Sequence, residues 1–449
     1  MYKHGGLFFL PPSNATLLTP MKRLRTAALA LLVPFAAWSA PLVAPARLDA
    51  ALQGLVQSGQ VAGVSALVFE HGKEAYFGAF GQADRDADRA MSRDVLAVIY
   101  SMTKPVIGVA LMQLHEQGKF QLDDPVSKYL PEYANVRVYA GDGPDGKPLT
   151  EAPKRPITIR DLGRHTAGFP EGRNHPPGLM RIVQATHVNA WAADLAETSR
   201  RIASVPLAFQ PGTQWMYGPS MDVQGRLVEV LSGQKLDVYL AEHIFKPLGM
   251  TSTRYVVKPW DADVLKLAPT YQRQQNGRLH RIPDTGAHAY NLGDWPLKGG
   301  SSGLVSTIDD YAQLARALLD GGVAPNGARL LKAETIKLMA TNALAAEVTQ
   351  RSWLPTKGNV GFGINFAVRT APPSYREDAS GPVGEFFWDG AANTLFWVDP
   401  KHKIVGLLFT QLLPPGDPKL VKAIRDAVYA DDAEAFAGNK PARPAATQP

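Results

Sequence analysis

The chain of 449 residues contains no cysteine. This absence excludes a disulfide framework, a lipid-modified cysteine and a thiol nucleophile. A His-Glu-x-x-His pattern is also missing, and histidines do not cluster with acidic residues in the sequence, so we predict neither a metal ion nor another cofactor. Any catalysis must therefore rest on side chains other than thiols and metal ligands.

Acidic residues are missing from residues 1–40, which carry Lys3, Lys22, Arg23 and Arg25. Without this segment, only about +2 remains of the formal net charge of +6. So small an excess of positive charge is not the electrostatic footprint of a nucleic-acid-binding protein. We predict no nucleic-acid partner.

The same acid-free start has the pattern of a secretory signal. Residues 21–25 supply a positively charged n-region, residues 27–38 an apolar core, and small residues follow where cleavage can occur. The apolar run is too short to span a bilayer, which favours cleavage over an uncleaved anchor. We predict that residues 1–40 are a signal segment with an overextended start, that Met21 is the true initiator, and that the mature protein is periplasmic or secreted without stable membrane insertion.

The remaining composition, 45% hydrophobic and 20% charged, is that of a globular chain with ample core. Apolar strands are predicted near both ends of the chain, with helical stretches and proline-rich loops between them. We therefore predict an α/β fold of the α+β type, in which early and late strands form one antiparallel sheet flanked by helices. The predicted parts are an α/β lobe over 41–121 and 291–435, an inserted, mostly helical lobe over 122–290, and a disordered tail over 436–449.

Individual elements are predicted from apolar periodicity and from capping residues. Thr158 and Thr307 each precede a predicted helix and have an aspartate three positions on. The helices are predicted over 47–56, 106–114, 189–202, 308–319 and 419–430, and the strands over 61–69, 74–80, 360–368, 384–388, 393–398 and 403–411, with a further hairpin within 136–150.

Ser101 and Lys104 stand three residues apart where an apolar run meets a predicted helix. Residues 106–114 are mostly apolar, so this helix is expected to be buried, with Pro105 in its first turn and Gly118 at its end. The spacing puts both side chains on one face, within reach of each other. A serine needs a neighbouring base, and burial at a helix N-terminus lowers the pKa of a lysine towards that role. We predict Ser101 as nucleophile and Lys104 as a proton acceptor.

The Ser-x-x-Lys pattern alone is weak, because it is expected about once or twice by chance in a chain of this length. A second copy runs from Ser232 to Lys235 between two predicted helical stretches. Its Ser-Gly start indicates a solvated turn. Taken alone, Ser101 is equally consistent with an ordinary helix start, so its companions decide the interpretation.

Several motifs accompany Ser101 in a defined order along the chain. They are Tyr100-Ser101-Met102-Thr103-Lys104-Pro105, Leu122-Asp123-Asp124-Pro125-Val126, His165-Thr166-Ala167-Gly168, Gly300-Ser301-Ser302-Gly303-Leu304 and Trp388-Asp389-Gly390-Ala391-Ala392. With them the chain resembles the serine β-lactamase and penicillin-binding-protein superfamily, most closely its class C-like branch and the family VIII esterases. The resemblance extends over residues 48–429 and implies a β-lactamase/transpeptidase-like fold and an acyl-enzyme mechanism.

The second motif of that superfamily is Tyr-x-Asn. Tyr133-Ala134-Asn135 matches it literally but follows the Ser101 helix too soon, whereas Tyr217-Gly218-Pro219 has the expected place. The resemblance therefore assigns Tyr217 to proton transfer between Lys104, the serine hydroxyl and the leaving group. Pro219 stands where penicillinases have an asparagine, which favours esters over β-lactams. The sequence leaves open whether Lys104 or Tyr217 takes the first proton.

The third motif, Lys-Thr-Gly, is absent, and Trp388-Asp389-Gly390 has its position. The site is then expected to lack the cation that attracts the carboxylate of penicillins, and Trp388 offers an apolar wall instead. Asp389 adds a negative charge that would disfavour anionic substrates, and Gly390 permits close backbone approach. By resemblance, the backbone N–H groups of Ser101 and Ala391 form the oxyanion hole.

A competing nucleophile is Ser301, because residues 299–303 satisfy Gly-x-Ser-x-Gly. That motif requires a strand leading in and a helix leading directly out, and neither is predicted here. A glycine-rich loop lining the cleft is the preferred interpretation. His165 could suggest a Ser-His-Asp triad, but a lone histidine near a helix end is more typical of a structural role.

These residues together predict an exported serine hydrolase that cleaves small carboxylic esters. Two alternatives stay open within the hydrolases: β-lactam hydrolysis, and cleavage of D-amino-acid peptides or amides. A third alternative belongs to another class, namely a penicillin-binding sensor or scaffold that acylates slowly. The predicted ligand in each case is a small ester or amide. The sequence does not indicate the oligomeric state.

Overall fold

The computed structural model describes residues 41–172, 174–188 and 190–444. The predicted signal segment, residues 1–40, lies outside the described residues, as does the end of the predicted tail from 445. Within the described part of the chain, no helix is both long and apolar enough to cross a membrane.

Fifteen strands are found among the described residues. Eight of them form one sheet in the order β10-β11-β12-β13-β14-β1-β2-β3, and the others form small two- and three-stranded sheets. The strands are β1 (Gly63–Glu70), β2 (Lys73–Asp84), β3 (Arg89–Ala90), β4 (Ala97–Val98), β5 (Val138–Asp142), β6 (Pro148–Glu151), β7 (Tyr271–Arg273), β8 (Leu279–Arg281), β9 (Val305–Ser306), β10 (Val360–Phe362), β11 (Ala367–Arg369), β12 (Phe386–Asp389), β13 (Leu395–Asp399), β14 (Ile404–Phe409) and β15 (Leu412–Leu413).

The large sheet joins the two ends of the chain. Strand β1 pairs antiparallel with β14, Ser65 lying opposite Phe409 and Glu70 opposite Ile404. All neighbouring strands of this sheet are antiparallel. The sheet predicted from early and late strands is therefore confirmed.

One predicted strand is wrong. Residues 360–368 form two antiparallel strands, β10 and β11, instead of one. Asn365 has a φ of 63°, a left-handed conformation that reverses the chain between them. Because the apolar residues continue through the turn, hydrophobicity alone does not reveal the break.

The helices lie between and around these strands. The α-helices are α1 (Pro45–Gln57), α2 (Thr103–Glu116), α3 (Ile159–Gly163), α4 (Pro177–Thr186), α5 (Leu195–Ser204), α6 (Ser220–Ser232), α7 (Leu236–Leu240), α8 (Lys246–Leu248), α9 (Asp284–Ala287), α10 (Ala289–Leu292), α11 (Ile308–Leu319), α12 (Ala333–Met339) and α13 (Pro418–Tyr429), with a π-helical turn at Ala241–Phe245 and 3₁₀ turns at Tyr100–Met102, Val126–Lys128, Pro131–Tyr133, Ala262–Lys266, Leu354–Lys357 and Ala437–Asn439.

Helices cover both faces of the large sheet. Tyr311 of α11 packs on Phe396 of β13, with ring centroids 5.0 Å apart. The next residue, Trp397, donates its indole N–H to the hydroxyl of Tyr429 in α13 over 3.0 Å. Successive side chains of a strand point to opposite faces, so α11 and α13 lie on opposite sides. The predicted arrangement of a sheet flanked by helices is confirmed.

Capping residues explain where several helices begin. Thr158 and Asp161 form a complete capping box at α3, and Thr307 accepts a hydrogen bond from the Asp310 amide at α11, as predicted. The helix predicted over 189–202 begins instead at Leu195, because the Asp194 carboxylate accepts from the Glu197 amide and caps it there. Helix α4 was not predicted.

The predicted tail begins with ordered structure. The Ala437 amide donates to the Ser380 hydroxyl over 2.9 Å, and the Arg443 amide donates to Glu377 over 2.9 Å. Residues 436–444 therefore pack against the loop before β12, which differs from the predicted disorder over that stretch. The division of the protein into the two predicted lobes stays a prediction.

Candidate active site

Helix α2 is buried on almost every side, as its apolar sequence predicts. Asn365 packs against it, and the Asn365 side-chain amide donates to the Lys104 carbonyl over 3.0 Å and to the Gln224 side chain of α6 over 2.9 Å. A Cβ added to Gly108 would lie 2.6 Å from that amide nitrogen, so glycine is required for the approach. The turn between β10 and β11 thus fixes the first turns of α2.

Ser101 lies at the junction between strand β4 and helix α2. Val98 pairs with Val305 of β9, and the Ile99 amide donates to the Leu304 carbonyl over 3.0 Å. Tyr100 has a φ of 43°, an uncommon conformation for a residue with a side chain, and it turns the chain into the 3₁₀ turn that carries Ser101. Pairing on one side and the helix on the other hold the serine at a sharp bend.

Three predicted site residues meet at the Ser101 hydroxyl. The ammonium group of Lys104 donates to Ser101 Oγ over 3.0 Å, and the Tyr217 hydroxyl donates to the same oxygen over 2.7 Å. Lys104 Nζ also lies 4.6 Å from the centre of the Tyr217 ring. The serine, lysine and tyrosine, 116 residues apart at the extremes, are therefore in direct contact.

Lys104 is buried, and its Nζ has a second acceptor in the Ser301 carbonyl oxygen at 2.6 Å. Burial lowers the pKa of Lys104 to about 7, although the carboxylates of Asp222 and Asp389 act in the opposite direction. Loss of hydration disfavours the charged amine more than these carboxylates favour it. A large fraction of Lys104 is then neutral at pH 7 and able to accept a proton.

Tyr217 is held among aromatic side chains. Its ring centroid lies 5.1 Å from that of Trp353, 5.5 Å from Trp388 and 4.9 Å from His165. Burial raises the pKa of Tyr217, so its hydroxyl keeps its proton at neutral pH. By contrast, the literal Tyr-x-Asn copy places Tyr133 in the core, where its hydroxyl donates to the Ser199 carbonyl over 3.2 Å.

The residues of the third motif line a cavity beside this cluster. The cavity has a volume of about 590 Å³, and Ser101, Tyr217, Trp388 and Ala391 are among its lining residues. A Cβ on Gly390 would lie 2.5 Å from the Ile99 carbonyl oxygen, so glycine lets the end of β12 approach the segment before Ser101. The two backbones predicted to form the oxyanion hole thus border the same space.

Lys357, which sequence reasoning missed, changes the expected charge of this cavity. Its ammonium donates to the Asp389 carboxylate and lies 5.1 Å from the centre of the Trp388 ring and 5.3 Å from that of Trp353. The expectation that the site lacks a cation is wrong, and the negative charge of Asp389 is paired with that cation. This ion pair joins residues 32 positions apart, so no local sequence motif indicates it.

Ser301 serves as a backbone contact for Lys104 while its own hydroxyl is engaged elsewhere. The hydroxyl donates to the carboxylate of Asp222, and the Ser301 amide donates to the same carboxylate over 3.0 Å. Burial raises the pKa of Asp222, and its bonds to Ser301 oppose that rise. The segment 293–304 contains neither strand nor helix, so the geometry of a Gly-x-Ser-x-Gly elbow is absent there.

His165 packs as an aromatic side chain. It is fully buried between Trp215, Tyr217 and Phe362, with ring centroids 4.9 to 5.7 Å away. Burial lowers the pKa of His165 far below its usual value, and neither ring nitrogen has a hydrogen-bond partner among the described residues. No group of three or more histidine or acidic side chains in that described part is arranged to hold a metal ion.

A second cavity adjoins the Lys104–Tyr217 pair. Its volume is about 670 Å³, and it is lined by Lys104, Tyr217, Asp222 and Ser301 together with residues of helix α4 such as Val183. Tyr217 borders both cavities. The reacting cluster therefore borders two cavities, each large enough for part of a small organic substrate.

Comparisons with known proteins identify the family of this chain. A model of the Beta-lactamase family matches residues 48–431. The chain is 32% identical over 392 residues to Protein Rv1367c of Mycobacterium tuberculosis, covering 83% of this chain and 94% of that protein. It is 30% identical over 409 residues to Esterase EstB of Burkholderia gladioli, covering 86% and 95%.

A solved structure shows the same fold. The chain superposes with a TM-score of 0.71 on EstCE1, described as a hydrolase with promiscuous acyltransferase activity, with 26% identity over 86% of this chain and 98% of that one. The fold and the family resemblance predicted from the motifs are both confirmed. The chain belongs to the Beta-lactamase family.

Proposed function

We propose that the protein hydrolyses small carboxylic esters through an acyl-enzyme formed on Ser101. Membership of the Beta-lactamase family, with an esterase among the relatives, makes it a serine hydrolase acting on esters. The observation that carries the finer proposal is the Ser101 hydroxyl, which contacts both Lys104 and Tyr217 where burial brings the pKa of the lysine to about 7. This arrangement matches a nucleophile with an adjacent base.

In the first step the Ser101 hydroxyl gives its proton to neutral Lys104 while Oγ bonds to the ester carbonyl carbon. The opposite pKa shifts favour Lys104 over Tyr217 as first acceptor, because the lysine is readily deprotonated and the tyrosine is not. The tetrahedral oxyanion accepts from the N–H groups of Ser101 and Ala391.

The intermediate collapses when the bond to the alkoxide breaks. The alkoxide takes a proton relayed from Lys104 through Tyr217, which leaves an acyl-Ser101 and neutral Lys104. A water molecule then gives a proton to the same pair while its oxygen bonds to the acyl carbon. The bond from that carbon to Ser101 Oγ breaks, Oγ takes the proton back from Lys104, and the carboxylic acid leaves. Tyr217 keeps its proton at rest and acts as a relay.

The character of the cavity walls favours esters over β-lactams. Trp388 replaces a lysine in the third motif, Pro219 replaces an asparagine in the second, and Asp389 neutralises the nearby Lys357. No unpaired cation then faces the Ser101 cavity among its described lining residues. A β-lactam carboxylate gains little there.

The first test is a burst and steady-state assay with p-nitrophenyl butyrate and nitrocefin side by side. Fast turnover of the ester with little nitrocefin cleavage is expected. A stoichiometric burst that then stops would instead support the slowly acylating sensor. If neither substrate is hydrolysed and a D-alanyl peptide is cleaved, the result would support the peptidase alternative instead.

Acyl transfer to an alcohol is a second candidate function. The two cavities that border the Lys104–Tyr217 pair support it, because one can hold the acyl group while the other admits an acceptor. With p-nitrophenyl butyrate and a secondary alcohol of drug size, the butyrate ester of the alcohol should be detected by mass spectrometry. Butyrate as the sole product at saturating alcohol would exclude this activity.

The pH dependence of kcat/KM follows from Lys104. Since neutral Lys104 is the proton acceptor, kcat/KM for p-nitrophenyl butyrate should rise with pH through about 7, with a loss of about tenfold for each pH unit well below that value. The measurement is a pH profile from pH 5 to 9. A profile that stays flat across pH 7 would contradict this assignment of the base.

Asp222 provides a way to move that profile. Its carboxylate raises the pKa of Lys104, so Asp222→Asn should shift the acidic limb to lower pH, by roughly half a unit or more. Asp263→Asn removes an ion-paired carboxylate that lines neither cavity and is the matched control. An unmoved limb in Asp222→Asn, with Tm and the neutral-pH rate retained, would show that another group titrates.

We also propose that the protein is exported. The basic stretch 21–25 and the apolar stretch 27–38 support this. Expression of the full chain in a Gram-negative host, followed by fractionation and N-terminal sequencing, should recover a periplasmic form that begins near residue 40. An uncleaved cytoplasmic form would contradict the proposal.

A further inference from the structure

We propose that the Asp389 carboxylate binds the Lys357 ammonium in the place that a substrate carboxylate would otherwise take. This ion pair then restricts the Ser101 cavity to esters without a negative charge. The inference rests on the proposed ester hydrolysis and names its substrate class. It assigns specificity to two residues that come from separate elements, the 3₁₀ turn Leu354–Lys357 and strand β12.

Several contacts hold the Lys357 ammonium in place. Its side chain is 13% exposed and that of Asp389 is 22% exposed, so the pair is largely withdrawn from solvent. The ammonium lies near the Trp353 and Trp388 rings and donates to Asp389. Contacts with two ring systems and one carboxylate hold the ammonium near the end of β12.

This pair borders the reacting groups. Lys357 and Asp389 line the same cavity of about 590 Å³ as Ser101 and Tyr217. The charge of Asp389 also acts on both reacting groups: it opposes the burial that lowers the pKa of Lys104, and it adds to the burial that raises the pKa of Tyr217. An ester whose carbonyl is at Ser101 can therefore reach the pair with its acyl or its alcohol part.

The charges of the cavity explain the selection. Lys357 is the one cationic side chain among the described residues that line it, and Asp389 and Glu171 are the acidic ones. A substrate carboxylate that binds Lys357 has to compete with Asp389 for the ammonium, and it then lies beside the Asp389 carboxylate. Such like-charge contacts in a partly buried site are unfavourable, so charge on the substrate lowers its affinity.

The test of this proposal compares matched neutral and anionic esters. On the acyl side these are p-nitrophenyl hexanoate and mono-p-nitrophenyl adipate, and on the alcohol side methyl 3-butyryloxybenzoate and 3-butyryloxybenzoate. For each pair the quantity measured is the ratio of kcat/KM for the anionic ester to that for the neutral ester. Both esters of a pair react with Lys104 as the base. Any change in the pKa of Lys104 therefore alters both kcat/KM values by the same factor and cancels from their ratio.

Removal of Asp389 should release Lys357. In Asp389→Asn the anionic-to-neutral ratio should rise by about tenfold or more in at least one substrate pair, which is the scale of removing a unit charge several ångströms away. The pair that responds identifies which part of the ester lies beside Lys357. A ratio that stays within twofold in both pairs, with neutral-ester activity retained, would overturn the proposal.

Lys357→Met tests the opposite change and protects the experiment against misfolding of the first variant. It leaves Asp389 unpaired, so the ratio should fall below that of the natural protein, and the double variant should return towards it. Asp263→Asn should leave the ratio unchanged. A ratio that does not fall in Lys357→Met would also overturn the proposal. If the natural protein does not hydrolyse the neutral esters at all, the proposed function itself is overturned.

Discussion

Replacing Ser101 with alanine is expected to lower kcat/KM for p-nitrophenyl butyrate by about 10⁴-fold or more, a loss typical of removing a catalytic nucleophile. The substitution removes the oxygen that both Lys104 and Tyr217 contact, so those two groups have no nucleophile to activate. The Ser301 hydroxyl cannot replace it, because that hydroxyl donates to Asp222. Steady-state kinetics and mass mapping of a covalent fluorophosphonate label provide the measurement.

Ser301→Ala is the matched control for this prediction. It retains the backbone carbonyl that accepts from Lys104 and removes only the hydroxyl bond to Asp222. Most of the activity should remain, and the label should still map to Ser101. Retained activity in Ser101→Ala, or a label on Ser301, would overturn the account of the nucleophile.

Replacing Lys104 with methionine is expected to cost about 10³-fold in kcat, which is within the range attributed to general acid–base catalysis. Methionine keeps most of the buried side-chain volume but supplies no proton acceptor. The remaining activity should lose its dependence on pH near 7, since the titrating group is gone. Kinetics at pH 6, 7 and 8 measure both effects.

The other Ser-x-x-Lys copy offers the control for Lys104. Lys235 follows the turn at Gly233, where φ is 76°, so Lys235→Ala should be nearly silent. A comparison with Tyr217→Phe then separates the two candidate bases. If Lys104→Met keeps its activity while Tyr217→Phe loses it, the first proton goes to the tyrosine.

Local sequence predicted much of this fold because the responsible interactions are local. Apolar residues at nearly every position of α2 predicted a buried helix, and Thr158 and Thr307 predicted helix starts from side chains acting three residues ahead. The break between β10 and β11 was missed, since only a left-handed Asn365 marks it.

The candidate site was predictable to the extent that its members belong to motifs. Ser101 and Lys104 lie on one helical turn, and Tyr217 was chosen over Tyr133 by its order along the chain rather than by its own sequence match. Lys357 was missed, because nothing near it in the sequence indicates that its partner lies in β12. The error about the charge of the site followed directly from that omission.

By itself, the sequence determined the chemical groups available to this protein: a serine and a lysine three residues apart, no cysteine, and a tryptophan in place of the third-motif lysine. Only the tertiary structure decided how those groups behave. Burial beside Ser301 sets the pKa of Lys104, and the approach of the Leu354–Lys357 turn to β12 neutralises Asp389. The reason is physical: desolvation and ion pairing depend on distances between residues that are far apart in the chain, and folding alone sets those distances.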